Sequence, residues 1–169
     1  MRPQDVPILL QMHLLGAGNW HYADIAAALQ ISPAEVSESL ERSRLAGLTD
    51  SVKRRVMLQS LTDFLIHGIR YVWPAVAGSK TRGIATAHSA LPLSQLIASS
   101  DDGYVWPDKN GTFRGESIAP LYKTLPSVVE KNQPLYELLA LIDALRIGRA
   151  REIKLAQEEL KKRLVNQPQ

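Results

Sequence analysis

Apolar residues recur at spacings of three and four along most of this chain, so the dominant pattern is helical. In residues 3–15, Val6, Leu9, Leu10, His13 and Leu14 share a face, and Pro7 fits only within the first turn. Gly16-Ala17-Gly18 ends that stretch, and Trp20 is placed to close a small three-helix core. Tyr22 to Leu29 forms the next helix, with Ile25, Ala26 and Leu29 on one side. After the turn Gln30-Ile31-Ser32, a third helix runs up to Gly47. Its start carries agreeing signals: Ser32 as N-cap, Pro33 at the first helical position and Glu35 to complete a capping box. Gly47 suits a left-handed stop. Val36, Leu40, Leu45 and Leu48 make the inner stripe, and Ser37, Glu38, Glu41 and Arg42 the outer face.

Beyond Leu48 the segment Thr49-Asp50-Ser51-Val52, then Lys53-Arg54-Arg55, leaves room for only a short pair of strands or none. Val56 to Tyr71 reads as a helix through Val56, Leu58, Leu61, Leu65, Ile66 and Ile69. From 71 to 127 the helical period is lost and Pro, Gly and aromatic residues become frequent. This segment echoes itself. Tyr71-Val72-Trp73-Pro74 recurs as Tyr104-Val105-Trp106-Pro107, and Arg82-Gly83 recurs as Arg114-Gly115. Each copy reads as strand, glycine turn and strand, with Asp108-Lys109-Asn110-Gly111 as a hairpin turn. The two copies are expected to pair within the chain or across a dimer. Residues 134–165 predict the longest helix, with Leu135, Leu138, Ile142 and Leu145 in its first half. Ile153, Ala156, Leu160 and Leu164 form a seam in its second half. Gly148 interrupts the pattern, where a kink or close contact is expected.

The residues Ile25-Ala26, Leu29, Ile31-Ser32, Val36, Leu40 and Ala46-Gly47-Leu48 resemble a helix-turn-helix of the MarR-like, winged-helix kind. The resemblance covers the N-terminal third. It implies that the third helix enters the DNA major groove with its early residues at base edges. Carried onto this chain, those residues are Ser32, Pro33, Ala34, Ser37, Glu38 and Arg42. Lys53, Arg54 and Arg55 follow as candidates for phosphate contacts, or else form a solvated charged helix start.

Composition narrows the rest. The chain has 169 residues, 45% hydrophobic and 22% charged, which suits a globular protein. No apolar run is long enough for a membrane span. Arg2 and Asp5 lie in a first helix rather than a signal peptide. With no cysteine, disulfides, thiolate zinc sites and a Cys nucleophile are excluded, and a cytoplasmic location is expected. The net charge of +3 falls entirely after residue 70: residues 1–70 hold seven basic and seven acidic side chains. Glu38 and Glu41 stand where a DNA reader often carries a cation.

Catalytic chemistry has no supporting constellation. His88, Ser89, Asp101 and Asp102 lack a nucleophile elbow, and His67 with His88 has no metal-ligand spacing. No cofactor or metal is implied.

The expected fold is mainly α with a small β part (α+β). A three-helix helix-turn-helix with a reduced wing occupies 1–52, a linking helix 53–72, and a β element with a long C-terminal helix 73–169. The expected function is a sequence-specific DNA-binding transcriptional regulator, a bacterial repressor acting as a dimer on double-stranded DNA. Ile153, Leu160 and Leu164 would make the dimer seam, with a basic tail toward nucleic acid or an acidic partner as the competing reading. The alternative function is an antitoxin-like or adaptor protein that holds a partner protein through 71–169.

Overall fold

The computed structural model describes residues 1–16, 18–97 and 103–165. The N-terminal trio is α1 (Asp5–Leu15), α2 (Tyr22–Leu29) and α3 (Pro33–Leu45). Pro7 lies in the first turn of α1, where a missing N–H costs nothing. The Ser32 hydroxyl accepts from the Glu35 amide at 3.1 Å. The other half of the expected capping box is absent, because the Glu35 carboxylate turns instead to Arg42 at 2.8 Å and Gln4 at 3.0 Å. Gly47 adopts φ 72°, and the Leu48 amide reaches back to the Ser43 carbonyl at 2.8 Å, closing the left-handed stop. Trp20 is buried in this trio, and its indole N–H donates to the Gly16 carbonyl at 2.9 Å.

A minimal bridged loop follows, at the place expected for a wing. Thr49 and Val56 form an isolated antiparallel bridge, flanked by Asp50 N–H to Arg55 O at 3.0 Å and Met57 N–H to Leu48 O at 2.9 Å. The Asp50 carboxylate holds the tip by accepting from the Arg54 and Arg55 amides. Val56 therefore belongs to the wing, and the next helix starts two residues later than the periodicity predicts. That helix is also divided, into α4 (Leu58–His67) and α5 (Ile69–Val72), at Gly68.

The β element corrects two expectations. Tyr71-Val72, the first copy of the repeat, ends α5 and is no strand. β1 (Lys80–Thr86) pairs antiparallel with both β2 (Tyr104–Pro107) and β3 (Phe113–Ser117). β2 and β3 are thus parallel to each other and close the three strands on themselves, so the turn at Asp108–Gly111 makes no hairpin. β2 covers one half of β1 and β3 the other, meeting at Gly83. Only bare backbone permits this closure. A Cβ on Gly83 would sit 2.0 Å from the Trp106 carbonyl oxygen, and one on Gly115 would sit 2.3 Å from that of Gly103. The echoed Arg-Gly pairs do meet within the chain: Arg82 is opposite Arg114, and Thr81 is opposite Gly115.

Short helices α6 (Leu93–Leu96) and α7 (Leu125–Val129) lead to α8 (Gln133–Ile147) and α9 (Ala150–Leu164). The C-terminal helical stretch is long but not continuous; it breaks at Gly148-Arg149. The Arg149 amide is capped by Glu152 at 2.8 Å, which starts a new helix. Helix α8 is the centre of the molecule, with every residue from Leu138 to Arg146 buried. A helix apolar on all sides needs neighbours on all sides, and α1, α4, α5, α7, α9 and β1 supply them. Burying its leucines stabilises the fold by roughly 2 kcal/mol each. One core runs from Val6 to Leu164. Asn132 bonds to Gln11 at 2.8 Å and Thr124 to the Leu29 carbonyl at 2.8 Å, tying the C-terminal half to α1 and α2. Among the described residues no helix is long and apolar enough to cross a membrane.

Candidate nucleic-acid interface

The first turn of α3 faces solvent. Ser32, Pro33, Ala34 and Glu38 are exposed and Ser37 is half-buried, while Val36, Ser39 and Leu40 turn inward. This division follows the helical period, and it leaves a small, nearly flat surface at the helix start. Beside it the chemistry is acidic. Glu41 is held down to about 2 by hydrogen bonds from Arg44 and Lys53, at 2.6 Å and 3.3 Å, so it is ionised at neutral pH.

Arg42 does not share this surface. Its guanidinium grips Asp5 with Nε at 3.1 Å and Nη2 at 2.7 Å, and also contacts Glu35 at 2.8 Å. The Asp5 side chain is fully buried. Arg42 is held protonated, chiefly by the Asp5 hydrogen bond. Partial burial works against the Glu35 carboxylate, but the bonds from Arg42 and Gln4 outweigh it and keep Glu35 below its ordinary 4.5. The group therefore clamps α3 to α1 and offers no guanidinium to a base edge. A sequence signal was present: Asp5 is a lone carboxylate in an otherwise apolar helix, and such a residue needs a cation nearby.

The three wing cations divide in the same way. Arg54 stacks over the Trp20 ring at 4.0 Å and donates to the Trp20 carbonyl at 2.9 Å. Lys53 bonds to Glu41 and takes a left-handed φ of 57°. Arg55 is exposed, and its side chain makes no hydrogen bond or ion pair among the described residues. Of the expected phosphate contacts, Arg54 is exposed but engaged at Trp20, and Arg55 is the exposed one whose side chain is unbonded among the described residues.

The expected dimer seam closes inside the chain. Leu160 and Leu164 are fully buried, and Ile153 is partly buried against the same core. Breaking the helix at Gly148 lets α9 fold back along α8 and α4. The apolar stripe is consumed there, and Leu160 and Leu164 expose nothing to a second copy.

A polar node inside the C-terminal half escaped the sequence reading. Asp143 accepts from Thr86 at 2.7 Å, the Trp106 indole at 2.7 Å and Arg146 at 2.6 Å. Arg146 also donates to the Trp73 carbonyl at 2.8 Å. Both tryptophans of the repeated Tyr-Val-Trp-Pro thus end on one ion pair of α8, the first through its backbone and the second through its side chain. Burial pushes the Asp143 carboxyl upward, against the pull of Arg146 and its other donors. The signal resembles that of Asp5, a single carboxylate inside the apolar run Leu138–Leu145. His88 lies edge-on to Tyr104 and 3.6 Å from Glu152. Asp101 and Asp102 lie outside the described residues.

Comparison with known protein families, curated proteins and solved structures gives no match.

Proposed function

We propose that this chain is a sequence-specific DNA-binding transcriptional regulator, a bacterial repressor whose α3 enters the major groove. The observation that carries the reading is the exposed first turn of α3, together with an exposed Arg55 in the loop that follows the helix. Ser32, Pro33, Ala34, Ser37 and Glu38 form the base-facing set. A serine hydroxyl can serve either a donor or an acceptor base edge, and a glutamate accepts from cytosine N4. Arg55, with Lys53 behind it, holds phosphate and sets the register. Arg42 acts by fixing α3 to α1, and Arg54 by holding the wing to Trp20. A dimer spanning two half-sites needs a surface other than Ile153, Leu160 and Leu164.

The test is binding to DNA upstream of the chain's own gene, titrated against salt and against random DNA. Selective binding of about a thousandfold supports the reading; equal, weak binding to both overturns it. Ser37→Ala should lower affinity for the selected site by about 1–3 kcal/mol and leave random DNA unaffected. A uniform loss on both would place Ser37 outside base contact.

A second reading has its own support. Tyr71 and Val76 are 82% and 80% exposed, with Val72 beside Tyr71 half-exposed. Apolar side chains gathered in one exposed segment suit an antiparallel or grooved protein surface. In that case the chain is an antitoxin-like or adaptor protein that meets its partner through residues 71–169. Co-purification of a stoichiometric partner, lost in Tyr71→Ser/Val76→Ser, would favour this reading.

A further inference from the structure

Arg82 and Arg114 stand directly opposite each other across β1 and β3. Both are exposed, and neither side chain makes a hydrogen bond or ion pair among the described residues. Opposed residues in an antiparallel pair share a face with their Cβ atoms about 5 Å apart, and like charges there repel. The acidic residue next along that face, Glu116, is half-buried and stands opposite Lys80 rather than either arginine. Each arginine is followed by a glycine at which two strands close to backbone contact. The two guanidinium groups therefore rise from a closed sheet, not from a loop. Fork-shaped cations held side by side suit the oxygens of one phosphate.

Among the described residues, other exposed cations such as Arg55, Arg151 and Lys154 stand on a loop or on α9, and no two of them are fixed opposite each other on paired strands. Residues 1–70 carry no net charge, and Arg42 and Arg54 are engaged by Asp5 and by Trp20. A duplex-binding protein draws much of its affinity from phosphate contacts. We propose that Arg82 and Arg114 form a phosphate clamp for the backbone of duplex DNA, supplying the sequence-independent attraction that the helix-turn-helix half does not. The clamp deepens the DNA-binding reading, yet it acts whether or not α3 reads bases. An acidic protein is the competing counter-charge. The duplex is favoured because a single pair of forks matches one phosphate and because the DNA-binding reading already assigns α3 and Arg55 to a duplex.

The experiment titrates the full-length wild type, Arg82→Gln/Arg114→Gln and Arg82→Lys/Arg114→Lys against a random-sequence duplex over a range of salt. Loss of the clamp should reduce the steepness of log affinity against log salt by about one unit, the share of one phosphate contact. The lysine pair should keep most of that steepness, because it keeps the charge. The glutamine pair should melt no lower than the wild type, since a repulsion is removed; this separates lost contact from lost fold. An unchanged salt slope in the glutamine pair overturns the clamp, and so does a wild type that binds no duplex. Unchanged duplex binding with lost binding to polyglutamate would assign the surface to an acidic protein, again overturning it. Ser37→Ala separates the two ideas. Should no sequence preference exist while random binding still depends on the two arginines, the clamp stands and the base-reading role of α3 falls.

Discussion

Arg42 and Asp5 meet across α1 and α3 with two hydrogen bonds, and the carboxylate they bury has no access to water. Removing one member of a buried pair leaves the other charge uncompensated. Arg42→Ala should therefore cost about 3 kcal/mol in chemical denaturation. A base-contacting arginine would instead show unchanged stability and lost DNA affinity. His13 gives a second residue-scale expectation. Desolvation between α1 and the C-terminal helix lowers its pKa below the ordinary 6.5, against a backbone hydrogen bond with Arg163. The unfolded chain then binds the proton more readily than the folded one, so stability is fully present above 6.5 and falls as pH drops toward the folded value. Glu35, also lowered, adds a similar loss beginning below 4.5. In His13→Gln the decline starting near pH 6.5 should vanish while the decline below 4.5 persists. Melting curves at a series of pH values would check this, and an unaltered profile would dissociate His13 from it.

At the scale of elements, glycine positions decide how the chain is cut. Apolar residues recur at spacings of three and four on both sides of Gly148, so the sequence reading joins α8 and α9 into one helix with a kink or close contact at the glycine. The backbone there leaves the helix at ψ 159°. A Cβ on Gly148 would lie 2.3 Å from the Ala144 carbonyl oxygen, and the Gly148 carbonyl accepts from Arg70 at 3.2 Å. Alanine is the better helix former, yet Gly148→Ala should destabilise the protein by about 1–3 kcal/mol through this overpacking. A stabilised variant in urea titration would mean that the break relaxes into a continuous helix. The β element makes a related point. Its glycines and turn residues announce strands and a turn correctly, but a hairpin expects β2 to pair with β3 antiparallel. Each pairs antiparallel with β1 instead, and the two meet each other in parallel, an arrangement in which the bare backbones at Gly83 and Gly115 meet the carbonyls of Trp106 and Gly103.

For the whole molecule, the fate of the seam on α9 matters most. An apolar stripe at 153, 160 and 164 is the same signal whether the helix packs on its own chain or on a copy. Leu160 sits at zero exposure within a single chain. Leu160→Glu should accordingly abolish cooperative folding, since a charge would be buried without a partner. Circular dichroism would show lost structure. A folded monomer in sedimentation would restore the seam to an interface between copies.

Local order was legible where it depends on neighbours in sequence: the bounds of α2, the Ser32 cap, the left-handed Gly47 and the mainly helical class all follow from short-range sterics and hydrogen bonds. The exposed early residues of α3 were legible too, because a helical stripe that is apolar on one side must turn the other outward. Which charged residues are engaged within the chain was not legible. Arg42, Arg54 and Arg55 are alike in sequence, and the first two are engaged by Asp5 and by Trp20, 37 and 34 positions away. The sequence by itself determined the bounds of α2, the Ser32 start and Gly47 stop of α3, and most of the apolar faces, since those are properties of adjacent residues. Only the tertiary structure decided that α8 is the centre, that α9 folds back on it, and that two arginines face each other across a closed sheet. Those outcomes rest on contacts between distant segments, whose partners local patterning does not specify.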